Sequence, residues 1–274
     1  MRLGIFAKTF SGADPHTVLA QVKAASFDVV QYNMACSGLD AMPAAISPDI
    51  AKAVHDAATK TKVAVAAVSG TYNMIHPDTA KRHDGHAKLA VLAEHCATMG
   101  TSLITLCTGT RDSTDQWRHH PDNNSTAAWS DLMASMEIAL VIAETHDITL
   151  GIEPELGNVV NSAIKARTLL DTFKSPRLKI IFDAANFFEV ESPESQRRII
   201  SEAIDLLGPD IVMAHAKDRN ADGSFATAGT GVLDFRHYVA CLRALDFRGP
   251  FVTHGLASAE ANGVATYLKK ILGE

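Results

Sequence analysis

Eight short apolar runs punctuate the chain, and helical stretches separate them. They read "LGIFA" (3–7), "FDVVQY" (27–32), "VAVAAV" (63–68), "LITLC" (103–107), "ITLGI" (148–152), "LKIIF" (178–182), "DIVMAHA" (210–216) and "FVTHGL" (251–256). Several are apolar at every position instead of every second one, the mark of strands covered on both faces, as in a parallel sheet between helices. The clearest helical stretch places Trp129, Leu132, Met133, Met136, Leu140 and Ala143 three and four apart on one stripe, which reads as core packing. Pro48 and Asp49 open another helix that runs to Lys60, and Gly100 closes one that begins near Asp78. Eight such strands and eight helices within 274 residues predict an α/β fold, a (β/α)8 TIM barrel, with residues 1–274 as a single domain. A doubly wound dinucleotide sheet is disfavoured, because "FAKTFSGAD" follows the first run where G-x-G-x-x-G belongs. No linker, charge block or short repeat divides the chain.

In a barrel of this kind the C-terminal ends of the strands carry the chemistry and the opposite rim carries stability. Every run here ends in polar residues. The first ends in Lys8, the second in Gln31 and Asn33, the third in "SGTYNMIH" with Asn73, and the fourth in "CTGTRD" with Arg111. Glu153 and Glu155 end the fifth, Asp183 and Asn186 the sixth, His215, Lys217 and Asp218 the seventh, and His254 the eighth. Glu153, Asp183, His215 and His254 each sit at or directly after an apolar run, so a barrel aims them at one axis. Two carboxylates and two imidazoles converging there call for a cation, and the oxygen and nitrogen donors suit Mn²⁺, Mg²⁺, Co²⁺, Fe²⁺ or Zn²⁺. The alternative is a hydrogen-bonded polar plug in the barrel mouth. With 12 histidines in the chain, His119 and His120 carry little weight alone.

Composition narrows the partners. A net charge of −6 opposes binding to a polyanion, so no nucleic acid is expected. The four cysteines, Cys36, Cys96, Cys107 and Cys241, form no CxxC pair and read as free thiols of a reducing compartment. No run approaches the roughly 18 apolar residues of a membrane span. The expectation is a soluble, cytoplasmic protein that does not engage a membrane.

Three strand-end motifs, "GIEPE", "IIFDAAN" and "AHAKDR", followed by the glycine-rich "GTGVLDF" (229–235), resemble the xylose-isomerase-like TIM barrels. This is the sugar phosphate isomerase/epimerase group of the AP endonuclease 2 superfamily, and the similarity covers nearly the whole chain. The resemblance implies one divalent metal ion, Mn²⁺ or Mg²⁺ favoured, held by Glu153, Asp183 and His215, and a small carbohydrate as substrate. A homo-oligomer is also expected. Where the family has a glutamate at the end of strand eight, this chain has His254, which becomes the fourth ligand. Asn186 likewise stands where a histidine is common.

The function this resemblance implies is a metal-dependent sugar, sugar phosphate or keto-sugar isomerase or epimerase working through an enediolate. The alternative is a lyase, a dehydratase or decarboxylase of a keto-sugar or keto-sugar acid at the same site. Glu153, His254 and Glu155 are the candidate catalytic groups; Lys8, Gln31, Asn73, Arg111, Asn186 and Lys217 are the candidate substrate contacts. Trp117 and Tyr72 are candidates to stack on a sugar ring. Lys217 beside Asp218 reads equally as an ion pair at the rim, and the "GTG" stretch as a weak phosphate signal or a simple turn.

Overall fold

Each apolar run of the sequence becomes a strand. In the computed structural model, which describes residues 1–273, they are β1 (Arg2–Phe6), β2 (Val29–Tyr32), β3 (Ala64–Ser69), β4 (Leu103–Cys107), β5 (Thr149–Glu153), β6 (Leu178–Asp183), β7 (Ile211–Ala216) and, last in the chain, β10 (Pro250–Thr253). All eight pair in parallel and close into a barrel in the order β1-β10-β7-β6-β5-β4-β3-β2. Two further short strands, β8 (Asp218–Arg219) and β9 (Phe225–Ala226), form a separate antiparallel ribbon in the loop after β7.

The crossovers are α1 (Pro15–Ala24), α2 (Pro48–Thr61), α3 (Thr79–Met99), α4 (Thr126–Thr145), α5 (Ala163–Phe173), α6 (Pro193–Leu207), α7 (Phe235–Ala244) and α8 (Ala261–Leu272). Local chemistry sets where they start. Asp14, Ser47, Asp78, Ser125, Ser162, Ser192 and Asp234 each accept a hydrogen bond from a first-turn amide, so seven of the eight helices are capped by a side chain. Proline at the first helical turn adds to this in α1, α2 and α6.

Length and apolarity alone would let α4 cross a bilayer, its richest window reaching a mean hydropathy of 1.3, contrary to the sequence expectation. Its stripe explains the apolarity: Leu132, Met136, Ala139 and Ala143 are fully buried in the core, with Trp129 and Met133 packed beside them. Truncating Leu132 or Met136 to alanine would cost about 2–5 kcal/mol, as for any well-packed core side chain.

Side chains inside the barrel stack in layers, and the layers place the site. Ile181 of β6, Met213 of β7 and Val252 of β10 pack with Ala67 of β3 in one buried cluster. Gly151 of β5 sits level with them, its bare Cα letting Ile181 fill the space, since a Cβ there would lie 2.4 Å from Ile181 Cδ1. Strand side chains alternate faces with a period of two. Two residues on from Gly151, Ile181, Met213 and Val252 stand Glu153, Asp183, His215 and His254.

Candidate active site

Strand register brings the four together. Asp183 is the Cα partner of His215, Glu153 that of Cys107, and Val252, two before His254, that of His215. One donor atom from each of Glu153, Asp183, His215 and His254 lies within 4.8 Å of the others. His215 Nδ1 is 3.1 Å from Glu153 Oε1, and His254 Nε2 is 3.2 Å from Asp183 Oδ2. Asn186 Nδ2 donates to Glu153 Oε1 at 3.0 Å. The other nitrogen of His215 faces Gln31 Oε1 at 2.8 Å, while Gln31 Nε2 donates to Thr105 Oγ1, which fixes the glutamine amide. From outside the barrel, the Tyr238 hydroxyl donates to the carbonyls of Phe182 and His215 and ties the ends of β6 and β7 to α7.

Charge is concentrated where water is scarce. Asp183 is fully buried and Glu153, His215 and Lys217 nearly so. Burial pushes the Asp183 carboxyl up, but Lys217, His254 and His215 outweigh it and hold it well below the usual range. Glu153 is likewise lowered, His215 and Lys217 prevailing over burial. Burial works against a charged His215, yet Glu153 and Asp183 raise its pKa, whereas burial lowers that of His254. Glu155, which follows Pro154 into the mouth, is pushed up to about 7 by burial, with Lys217 opposing and Glu153 and Asp183 reinforcing.

Lys217 Nζ lies 3.3 Å from Asp183 Oδ2 and 3.8 Å from Glu155 Oε1. Lys217 therefore belongs to the interior cluster, not to a rim pair with Asp218. That aspartate accepts from the backbone amides of Arg219, Gly229, Gly231 and Leu233 at 2.8–3.0 Å. The glycine amides of the "GTG" stretch are thus taken by a carboxylate, which removes the phosphate reading.

The donor set fits a divalent ion: two buried carboxylates and two imidazoles converge, the Lys217 ammonium balances only part of the negative charge, and Asn186 Oδ1 is buried without a protein partner among the described residues. Above this floor opens a cavity of about 1290 Å³, onto which Lys8, Gln31, Glu155, Lys217 and His254 face.

Other expected contacts lie elsewhere. Arg111 does not reach the cavity; it bonds Asp131 Oδ2 at 2.7 Å and the Ile75 carbonyl at 3.1 Å, and shares Asp131 with Arg82. Asn73 braces the loops after β3 and β4, donating to the Thr110 carbonyl and accepting from the Thr110 and Ile75 amides. Tyr72 is buried edge-on against His86 and flush with Gly85, so no sugar reaches its face. Arg111→Ala is expected to cost about 1–2 kcal/mol, the worth of hydrogen bonds to a partly exposed charge. A lower Tm with KM unchanged is the result to look for; a raised KM at unchanged Tm would return Arg111 to the site.

Further residues border the cavity. Arg219 is buried, its Nε donating to the Ala185 carbonyl at 2.6 Å, and Phe225 of β9 projects over it. Trp117 and His119 come from the long loop after β4.

The family model for the xylose isomerase-like TIM barrel matches residues 19–268. The chain belongs to that family. Solved structures of the same fold include a 3-keto-D-glucoside 4-epimerase from E. coli, 16% identical, with a TM-score of 0.79 over 98% of this chain and 99% of that one. A D-psicose 3-epimerase, 14% identical, superposes with a TM-score of 0.76 over the full length of both chains. The IolI protein with a bound zinc atom, 13% identical, has a TM-score of 0.72 over 100% of this chain and 98% of that one. No curated protein matches the chain by sequence.

Proposed function

We propose that this family member is a divalent-metal-dependent isomerase or epimerase of a sugar, sugar phosphate or keto-sugar, acting through an enediolate. The observation that carries the reading is the single layer of Glu153, Asp183, His215 and His254 at the floor of an open barrel mouth. The epimerases among its structural relatives support a sugar, and the zinc-bound relative supports a metal. When bound, a divalent ion, Mn²⁺ or Mg²⁺ favoured, would polarise a substrate carbonyl and make the neighbouring C–H acidic.

The chain's own residues supply the rest. Glu153, Asp183, His215 and His254 would hold the ion, and Gln31 keeps the His215 ring in place by accepting from Nε2, leaving Nδ1 toward the cluster. Glu155 takes the proton. Its raised pKa suits a base working near neutrality. The Lys217 ammonium lies beside Asp183 and Glu155, where it stabilises negative charge developing on the substrate oxygen. Asn186 aims Glu153, and Lys8, exposed at the rim, orients hydroxyls. Lys8→Ala is accordingly expected to raise KM with Tm unaltered, and an unchanged KM would count against it.

One feature favours a lyase as the second reading. Both carboxylate bases, Glu153 and Glu155, leave from β5, whereas epimerisation by two bases moves protons on opposite faces of one carbon. His254→Glu tests this. It restores a second strand's carboxylate and is expected to keep the metal while lowering the native rate, checked by elemental analysis beside kcat. Incubating the metal-loaded protein with ketoses and keto-sugar acids in D2O separates the reactions by mass. An isomerase or epimerase incorporates solvent deuterium and otherwise conserves mass, whereas a lyase releases water or carbon dioxide. Binding without either change would leave a sugar-binding module and sink the enzymatic reading.

A further inference from the structure

The cavity is larger than a single sugar ring needs. Small-molecule pockets usually enclose about 300–1,000 Å³, and this one holds about 1290 Å³. Its lining residues are largely polar but include exposed apolar side chains. Nine large apolar side chains stay exposed among the described residues, and only two of them, Trp117 at 51% and Phe225 at 53%, are aromatic. Both border this cavity, as does Val190, which is 63% exposed. Exposed aromatic surface gathered in one concavity marks a binding face, because scattered apolar residues would show no such preference.

Neither ring sits on a loose loop. The Trp117 amide donates to Asp115 Oδ1 at 2.9 Å, and Asn158, itself fully buried, holds the preceding Gln116 carbonyl from one side while taking the Gly109 amide with its other atom. Gly157 presses against the Trp117 carbonyl so closely that a Cβ would come within 2.4 Å of it. Phe225 is fixed by the β8–β9 ribbon and backed by two cations, with Lys217 Nζ 4.0 Å and Arg219 Cζ 4.3 Å from its ring centroid. Such contacts hold the ring while leaving half of its surface open. Trp117 comes from the loop after β4 and Phe225 from the loop after β7, and polar Gln116, His119 and Glu189 line the same cavity.

We propose that the substrate is a glycoside: one ring occupies the floor beside Glu153, Asp183, His215 and His254, and a second sugar ring lodges at the rim against Trp117 and Phe225. This inference rests on the sugar reading of the floor and specifies which sugars it takes. The apolar faces of a pyranose stack on aromatic rings, and the polar groups lining the same cavity meet its hydroxyls. Binding energy from this remote ring would serve to hold the reacting ring in place.

The test is calorimetric titration of the Mn²⁺-loaded protein with glucose, methyl β-glucoside, cellobiose, maltose and trehalose. At least one disaccharide is expected to bind about tenfold or more tightly than glucose, equivalent to about 1.4 kcal/mol. Trp117→Ala and Phe225→Ala should each collapse that ratio, whereas Val141→Ala, on the exposed face of α4, should preserve it. Because the three side chains are exposed, all three variants are expected to fold, and a thermal melt of each checks this. Equal binding of glucose and every disaccharide overturns the proposal, as does a ratio unaffected by both aromatic variants. If deuterium incorporation into simple ketoses persists while the ratio stays at one, only the glycoside assignment fails. If none of these sugars binds and no ketose or keto-sugar acid gains deuterium or loses mass either, both readings fail together.

Discussion

His215→Ala is expected to yield a folded barrel that no longer retains a divalent ion. His215 is central to the floor: it touches Glu153 with one nitrogen and Gln31 with the other, and its main-chain carbonyl is held by Tyr238. Deleting the imidazole removes one of the proposed ligands and leaves Glu153 without its main counter-charge, since burial otherwise drives that carboxyl toward its neutral form. Loss of an outer hydrogen-bond partner of a ligand typically costs about 10–100-fold in metal affinity, which is the expectation for Gln31→Leu; loss of the ligand itself should exceed it. Elemental analysis after incubation with Mn²⁺ reads the result directly. A thermal melt supplies an independent measure, because a bound ion stabilises the native state by mass action and the variant should gain nothing from added metal. Wild-type protein that takes up no ion under these conditions would remove the metal reading altogether.

Glu155→Gln should leave the ion in place and lower kcat by about 10²–10⁴-fold, the usual worth of a positioned proton-transfer group. The substitution keeps shape and removes only the titratable oxygen. As the proposed base, Glu155 would act in its ionised form, so kcat in the wild type is expected to climb as pH rises through the carboxyl's pKa. Burial pushes that value up to about 7, against the pull of Lys217. A divalent cation beside Glu153 would draw it lower, so the rising limb should lie at or below neutrality and shift upward in Lys217→Met, where the opposing charge is gone. Deuterium exchange into substrate, followed across pH, checks both statements. An unchanged kcat in Glu155→Gln would transfer the role of base to Glu153 or His254.

Glu155 also marks the boundary between what one dimension of information can specify and what it cannot. Its parity matches that of Glu153, yet it lies beyond the end of β5, and only the loop's path through Pro154 to the Glu155–Val160 backbone bond turns it into the mouth. Similar reasons explain the residues that went elsewhere. Being at a strand end predicts which rim Arg111, Asn73 and Tyr72 occupy, but their directions depend on partners distant in sequence: Asp131 for Arg111, Thr110 for Asn73 and His86 for Tyr72. Arg219, Phe225, Gln31's grip on His215 and Tyr238's on β6 and β7 depend on contacts of that kind too.

The strands, the helix starts and the convergence of Glu153, Asp183, His215 and His254 were determined by the sequence alone. These features follow from local rules: continuous apolar runs need cover on two faces, Ser and Asp cap helices, and a period of two projects every second strand residue inward. Tertiary structure alone decided that Lys217 turns in to Asp183 and Glu155 while Asp218 turns to the glycine amides, and that Trp117 and Phe225 border one cavity. The physical reason is that a loop's conformation is chosen by hydrogen bonds and packing with segments tens of residues away, whose positions exist only once the barrel has closed.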